Sequence, residues 1–138
     1  MQKAPHIILI LLFGQLTTTL GQTETDKVEE AVMAFYQSVE NLDFKSIRTM
    51  ITADFEIVDG GKRMDMDQFE QFLQAAATMG FQLVFEQIEF NTALAGEVAY
   101  TSFRTVNPKE ERAFFEMAIL RRTGGTWKLD RFHSTPVR

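Results

Sequence analysis

Residues 98–137 read VAYTSFRTVNPKEERAFFEMAILRRTGGTWKLDRFHSTPV, and this segment gives the clearest indication of the fold class. It holds three long runs rich in β-branched and aromatic residues, which Asn107-Pro108 and Gly124-Gly125 separate. A fourth run of this kind precedes it and ends before Ala95-Gly96. Because the connections are short, successive strands must be antiparallel neighbours. The sequence therefore predicts a meander of four strands, at residues 81–91, 98–106, 112–122 and 126–137.

Helical patterns occupy the chain before these strands. Asp26, with Glu29 three residues later, has the form of a capping box and predicts a helix that ends near Asn41. Asp43 predicts the start of a second, shorter helix, and a third is predicted over residues 67–79, ending before a glycine. The apolar residues of the first helix recur on one face; they are Val28, Ala31, Val32, Phe35 and Val39.

A short hairpin is predicted between the second and third helices. Residues 55–58 have a strand pattern, Asp59-Gly60-Gly61 is typical of a tight turn, and residues 62–64 lead away from it. Helices first and long strands afterwards indicate segregated packing of the two element types. We therefore expect an α+β domain in which three helices cover one face of a strongly curved antiparallel sheet.

The first 21 residues have the composition of a secretory signal peptide. Lys3 is their single formal charge, residues 7–13 are apolar, and small residues lead to Gly21. The apolar run is shorter than the roughly 20 residues that a membrane-spanning helix needs, although an uncleaved anchor is the alternative. We expect removal of residues 1–21, which leaves one domain at residues 22–138 that does not associate with a membrane. Because the chain has no cysteine, a bacterial periplasmic or secreted protein is favoured.

Charge and composition exclude several classes of function. The net charge of −5 gives no electrostatic attraction to nucleic acid, so we expect no nucleic-acid partner. The absence of cysteine excludes thiolate chemistry, and His133, the single histidine after residue 21, excludes a histidine-rich metal site. No phosphate-binding or dinucleotide motif is present, and we expect no cofactor. Basic residues are concentrated after residue 98, which indicates solvated strand faces or, alternatively, the anion-attracting rim of a pocket.

The order of these elements resembles the nuclear transport factor 2-like superfamily, and in particular its SnoaL-like branch. Three patterns account for the resemblance: residues 41–55, Gly96-Glu97-Val98-Ala99-Tyr100, and RRTGGTWKLDRFHS at residues 121–134. The last is also similar to the association domain of calcium/calmodulin-dependent kinase. The resemblance implies a cone-shaped fold, a mostly apolar pocket between the concave face of the sheet and the helices, and a homodimer formed through the sheet.

Ketosteroid isomerase, a member of this superfamily, implies two candidate catalytic residues. Tyr36 falls where that enzyme has its oxyanion-hole tyrosine, and Asp59 where it has its general base. A carboxylate in an apolar pocket can move a proton, and a tyrosine hydroxyl can stabilise the enolate that forms. The enzyme's protonated aspartic acid corresponds here to Met117 or Ala118, and strand alternation predicts that Glu116 points to the opposite face. The isomerase set is therefore predicted to be incomplete.

His133 is a third candidate acid–base group. Alternation along the last strand leaves open which face lines the pocket, since a bulge would switch the faces partway. Aromatic and other large apolar side chains toward the wide end of the cone are predicted to bind a ligand. They are Phe55, Phe72, Phe85, Phe103, Met117 and Phe132.

Each candidate also has a structural explanation. A buried tyrosine commonly has one hydrogen-bond partner, which would account for Tyr36, and aspartate is a common turn residue, which would account for Asp59. Three functions stay open, of which non-catalytic binding of a small apolar or amphipathic ligand is favoured. The others are a cofactor-independent acid–base enzyme (an isomerase, cyclase or dehydratase) and a dimerisation or assembly domain.

Overall fold

Three helices pack against one face of a six-stranded sheet in the computed structural model, which describes residues 22–138. The predicted signal peptide, residues 1–21, lies outside the described residues, so cleavage and export stay predictions. No helix within residues 22–138 is both long and apolar enough to cross a membrane. The elements are α1 (Glu24–Glu40), α2 (Phe44–Thr49), β1 (Ile51–Asp59), β2 (Lys62–Met64), α3 (Met66–Thr78), β3 (Glu86–Ala95), β4 (Val98–Asn107), β5 (Arg112–Thr123) and β6 (Thr126–Pro136).

The strands follow one another across the sheet in the order β2-β1-β6-β5-β4-β3. Strands β3 to β6 form the predicted antiparallel meander. Strand β1 instead pairs parallel with β6, so the sheet is mixed. The predicted α+β class and cone-shaped fold are confirmed, while this one parallel pair was not predicted. Short connections cannot indicate it, because more than sixty residues separate the two strands.

Helix α1 begins earlier in the chain than the sequence pattern predicted. The Thr23 hydroxyl accepts a hydrogen bond from the Asp26 amide at 3.1 Å, and the Asp26 carboxylate accepts one from the Thr23 amide at 3.0 Å. The capping box is therefore Thr23–Asp26, and the predicted Asp26–Glu29 box is wrong. Glu29 lies one turn further along and accepts a hydrogen bond from the Thr92 hydroxyl at 2.9 Å. The predicted cap of α2 at Asp43 is present.

The segment before β3 differs from the prediction, because residues 81–85 are not part of the strand. Two of its backbone amides donate hydrogen bonds to side chains and not to a neighbouring strand. The Gln82 amide donates to the Glu110 carboxylate at 2.7 Å, and the Phe85 amide donates to the Glu40 carboxylate at 2.6 Å. Gly80, at φ +86°, turns the chain from α3 into this segment, a conformation that glycine adopts without strain. These two hydrogen bonds and the turn at Gly80 together fix the position of residues 81–85.

The core lies between the helices and the inner face of the sheet. The predicted stripe of α1 faces it, with Val28, Val32, Phe35 and Val39 buried and Ala31 partly buried. These side chains are packed with buried residues from α3 and the meander, which are Phe69, Leu73, Ala99, Phe103, Ala118, Leu120, Leu129 and Phe132. Burial of this apolar surface is the main stabilising contribution to the fold.

A bulge in β6 decides which residues of the last strand face inward. Leu129 pairs with Leu120 and Arg131 pairs with Ile119, so Asp130 is an extra residue between them. Alternation therefore changes phase at Asp130: Leu129 and Phe132 are both buried, although they lie three residues apart. The Asp130 carboxylate accepts a hydrogen bond from the Thr52 hydroxyl at 2.7 Å, which joins the bulge to β1.

Candidate functional site

A cavity of about 410 Å³ lies between α1, α3, residues 81–85 and the inner face of the sheet. Most of its wall is apolar, with aromatic rings from Phe35, Phe69, Phe72, Phe85, Phe114 and Phe132. Five side chains with polar groups interrupt this wall, and they are Tyr36, Asp59, Arg112, Glu116 and Ser134. A cavity of this size, with an apolar wall and a few polar groups, is typical of a site for a small molecule.

Tyr36 and Glu116 form the centre of a hydrogen-bonded chain at the buried end of the cavity. The Tyr36 hydroxyl donates to Glu116 Oε1 at 3.0 Å, and the Ser134 hydroxyl donates to the same oxygen at 3.2 Å. The Thr105 hydroxyl in turn donates to Tyr36 Oη at 3.4 Å. Glu116 is only 2% exposed, and its Oε2 has no hydrogen-bond partner within residues 22–138. One oxygen of this buried carboxyl group is thus without a hydrogen-bond partner in the described part of the chain.

Burial raises the pKa of Glu116 to about 8, although the hydrogen bonds from Tyr36 and Ser134 act in the opposite direction. The carboxyl group is therefore mostly protonated at neutral pH, which makes it a hydrogen-bond donor. Burial, together with the charge of Glu116, also raises the pKa of Tyr36 well above its usual value, so the phenol keeps its proton. The buried end of the cavity consequently holds two protonated acids.

Asp59 is the last residue of β1, directly before the Gly60-Gly61 turn, and it pairs with Ser134 of β6 in the parallel ladder. Its side chain lines the same cavity as Glu116. Partial burial raises the pKa of Asp59, and its charge raises the pKa of Glu116. A half-buried carboxylate in an apolar cavity can accept a proton. Asp59 is therefore a candidate for proton transfer as well as a residue that precedes a turn.

The structure brings together some of the residues predicted for the site. Tyr36, Asp59, Phe72, Phe85 and Phe132 all line the cavity. Their catalytic and binding roles stay predictions, because position alone does not test a role.

The other predicted site residues lie elsewhere. Phe55 and Phe103 are buried in the core, where Phe55 packs on Phe35 with ring centroids 6.1 Å apart and Phe103 packs on Phe90 at 4.9 Å. Met117 and His133 pair with each other on the outer face of the sheet, and His133 is exposed. The prediction that Met117 and His133 line the pocket is therefore wrong. The bulge at Asp130 sets the alternation of β6 so that Phe132 faces inward and His133 outward, and Met117 is the ladder partner of His133.

Glu116 is the main correction to the predicted site. It was expected to point away from the pocket, whereas it lines the cavity and bonds to Tyr36. Of the two alternatives for the third isomerase position, Ala118 had the right phase and Met117 the wrong one. Residues two apart on a strand share a face, so the Ala118 alternative already implied an inward Glu116. Ser134 and Arg112, which also line the cavity, were not predicted as site residues.

The described part of the chain has no group of three histidine, cysteine, aspartate or glutamate side chains placed to hold a metal ion. The polar groups that line the cavity are acid and hydroxyl groups, apart from the Arg112 guanidinium. Two acids that share an apolar cavity and differ in burial can take opposite roles in proton transfer.

The pKa of Glu116 leads to a prediction about stability. Its value in the folded protein, about 8, lies above its ordinary value of 4.5. Between these pH values the folded state binds more protons than the unfolded state, so stability falls as pH rises, by at most about 1.4 kcal/mol per pH unit for one group. Glu116→Gln keeps an acceptor for Tyr36 and Ser134 but does not titrate.

The free energy of unfolding, measured with urea from pH 5 to 8, should therefore fall more steeply in the natural protein than in Glu116→Gln. The variant provides the matched control for every other titrating group. Parallel curves for the two proteins would show that Glu116 has no raised pKa.

Sequence and structure comparisons place these features in a known group of proteins. The profile of the SnoaL-like domain family matches residues 28–137. A nuclear transport factor 2-like protein of Cytophaga hutchinsonii has a similar structure, with a TM-score of 0.70, 13% identity, and coverage of 83% of this chain and 99% of that one. A ketosteroid isomerase-like protein of Erwinia carotovora is similar with a TM-score of 0.65, 16% identity, and coverage of 86% and 99%. At these identities the likeness shows the fold alone.

One sequence match is to a much longer protein. A tRNA N6-adenosine threonylcarbamoyltransferase of Rickettsia akari is 30% identical over 91 residues, which are 66% of this chain but 21% of that protein. This chain thus spans about a fifth of the length of the curated relative that it matches. The family profile, in contrast, covers the helices, the cavity and all six strands. The fold of the chain is that of nuclear transport factor 2-like proteins, and the chain belongs to the SnoaL-like domain family.

Proposed function

We propose that this domain binds a small apolar carbonyl compound in its cavity and moves a proton between two of its carbon atoms, without a cofactor. The observation that supports the proposal most directly is the Tyr36–Glu116 hydrogen bond of 3.0 Å at the buried end of an apolar cavity. The isomerase set that appeared incomplete in the sequence has a third acid in Glu116. The fold accords with a ligand-binding or isomerase-like domain.

The proposed reaction begins with Asp59. Its carboxylate takes a proton from the carbon next to the ligand's carbonyl group. The electron pair of that C–H bond forms a C=C bond, and the π pair of the carbonyl group moves to its oxygen. On ligand binding the Tyr36 hydroxyl exchanges its hydrogen bond to Glu116 for one to this oxygen. Together with the protonated Glu116, it stabilises the negative charge that forms there. Protonated Asp59 then returns the proton to a different carbon, so that a double bond shifts and no atom is gained or lost.

The electrostatic environment supports these roles. The raised pKa of Glu116, about 8, keeps it a donor at neutral pH. Asp59 is less buried than Glu116, and it is the group that exchanges its proton. The apolar wall excludes water from the enolate and so strengthens each hydrogen bond to it.

A test needs a substrate whose product is easily seen. Purified residues 22–138, incubated with a cyclic β,γ-unsaturated ketone, should produce the conjugated ketone, which absorbs in the ultraviolet. In D₂O the product should contain deuterium at the carbon that receives the proton, if Asp59 exchanges with solvent during turnover. A panel of such ketones that bind, but neither isomerise nor exchange hydrogen, would contradict the proposed reaction.

Non-catalytic binding of a small apolar or amphipathic ligand is the second candidate, and one observation favours it. The Tyr36 and Ser134 hydroxyls already donate their hydrogens to Glu116 Oε1, so neither hydrogen is available to a ligand in this arrangement. A pocket of this kind could hold an apolar ligand without reacting. The ketone panel separates the two candidates, since a binder retains the ligand unchanged.

We also propose that the domain forms a homodimer through the outer face of the sheet. Tyr100, Phe115 and Ile119 lie on that face and are exposed by 42%, 46% and 36%. Tyr100 pairs with Ile119 in the β4–β5 ladder, so these side chains are adjacent. An apolar patch of this kind is typical of a protein–protein contact. Sedimentation equilibrium should give twice the monomer mass, and Ile119→Lys should shift it to the monomer; a natural protein that sediments as a monomer would contradict the proposal.

A further inference from the structure

Arg112 is the single cationic side chain in the wall of the cavity. It stands on the inner face of β5 at the same alternation phase as Phe114 and Glu116, and all three line the cavity. Arg112 is exposed, whereas Glu116 is buried. The strand therefore runs from the mouth of the cavity at Arg112 to its buried end at Glu116, over roughly 13 Å for four residues.

Arg112 also differs from most of the other arginines in its contacts. Six arginines elsewhere in the domain form ion pairs with carboxylates, and these are Arg48, Arg63, Arg104, Arg121, Arg122 and Arg131. Arg112 has no carboxylate within ion-pairing distance among the described residues. The carboxylate of Glu110, two residues earlier in the chain, accepts a hydrogen bond from the Gln82 amide at 2.7 Å.

A ring of the cavity wall holds the Arg112 side chain in place. Its guanidinium carbon lies 5.6 Å from the centroid of the Phe81 ring, in a cation–π arrangement. The contact uses one face of the guanidinium group and leaves its N–H groups, which lie at the edge, available to a ligand. An arginine with no ion-pair partner and with its N–H groups available can bind a carboxylate with two parallel hydrogen bonds.

The charges at the two ends of the cavity determine how a ligand would enter. The Asp59 carboxylate repels an anionic group inside the cavity, while Arg112 attracts it at the mouth. A ligand with an ammonium group would instead be repelled by the positive charge of Arg112 at the mouth. Between the two ends the wall is formed mainly by aromatic rings, which favour an uncharged hydrocarbon body.

We propose that the cavity selects apolar monocarboxylates, with the ligand's carboxylate on Arg112 at the mouth and its hydrocarbon body directed toward Tyr36 and Glu116. The inference rests on the proposed function in one respect, namely that a small molecule occupies this cavity. It adds the chemical class of that molecule: the carbonyl compound that reaches Asp59 is an oxo acid whose carboxylate lies at the other end.

Titration calorimetry with octanoate and its neutral isostere octanamide tests the inference without requiring turnover. The two probes have the same length and differ in charge. Octanoate should bind residues 22–138 about five- to tenfold more tightly than octanamide, because it alone forms the ion pair with Arg112. The difference should shrink in 0.5 M salt, which screens an exposed pair.

Variants identify the residue responsible. Arg112→Gln should weaken octanoate binding to the level of octanamide and leave octanamide unchanged, and Arg112→Lys should restore part of the difference. Arg104→Gln is the matched control, because Arg104 lies on the outer face of the sheet beside Glu89 and should change neither affinity. Since Arg112 is exposed, its replacement should not prevent folding.

The outcomes separate this inference from the proposed function. If both probes bind with equal affinity, or Arg112→Gln weakens both alike, the cavity binds apolar ligands but the carboxylate preference is wrong. If neither probe binds while the cyclic ketones do, the carboxylate inference fails and the proposed function stands. If no probe of either kind binds, both are overturned.

Discussion

Asp59→Asn should lower the rate of ketone isomerisation by about 10²- to 10⁴-fold, the usual contribution of a general base, while ligand affinity changes little. Asparagine has nearly the shape of aspartate but cannot accept the proton from carbon. The loss should therefore appear in kcat and not in KM. Asp54→Asn is the matched control: it makes the same substitution in the same strand, at an exposed position outside the cavity. Equal activity of Asp59→Asn and the natural protein would remove Asp59 from the mechanism.

The two hydrogen-bond donors can be separated in the same assay. Tyr36→Phe removes one donor and should cost about 10²- to 10³-fold in kcat, as for an oxyanion-hole group. Glu116→Gln keeps an N–H donor and an acceptor for Tyr36, so it should retain more activity than Glu116→Ala. Because Tyr36 and Glu116 are hydrogen-bonded at 3.0 Å, the effects of a double substitution should not add. If both Glu116 variants retain full activity, the protonated acid has no part in the reaction.

Phe35→Ala should destabilise the domain by about 3–5 kcal/mol, the range for a large core aromatic residue. Phe35 is 1% exposed, and its ring lies about 6 Å from four other rings, which belong to Tyr36, Phe55, Phe69 and Phe132. The substitution leaves a void where α1, α3 and the sheet meet. A loss of this size is a large fraction of the roughly 5–15 kcal/mol by which a domain is stable.

Urea unfolding at one pH measures this effect. Phe72→Ala is the matched control, because Phe72 lines the cavity but is 40% exposed and should cost much less. Phe35→Leu, which keeps more of the buried volume, should fall between the two and provides a folded variant if Phe35→Ala does not fold. Similar losses for Phe35→Ala and Phe72→Ala would show that the aromatic cluster around Phe35 is not the centre of the core.

Much of the fold could be predicted from the sequence because its signals are local. The stripe of α1, the cap at Asp43 and the paired glycines at 60–61 and 124–125 each depend on residues a few positions apart. Errors occurred where two local solutions were nearly equal. Both Thr23 and Asp26 can cap a helix, and the two are distinguished in the folded chain by the hydrogen bonds between Thr23 and Asp26 and by the contact of Glu29 with Thr92.

The candidate site was predicted in part, for a different reason. Tyr36 and Asp59 were found through resemblance, whereas Glu116 was assigned to the wrong face. Both faces of β5 contain apolar residues, with Ala118 and Leu120 inward and Phe115 and Ile119 outward. Alternation thus shows that the residues divide into two sets but not which set meets the helices. His133 and Met117 were misplaced by the same ambiguity.

Local sequence patterns are sufficient to predict the order of helices and strands and the antiparallel meander, because both follow from periodicity and short connections. The family was predicted separately, through the resemblance of three short motifs. The tertiary structure alone decided three features: the parallel pairing of β1 with β6, the phase change at Asp130, and the contact between Tyr36 and Glu116. The first and the last join residues far apart in the chain, 80 positions in the last case. Such contacts depend on which face of the sheet the helices bury, and that choice is made by packing of the whole domain.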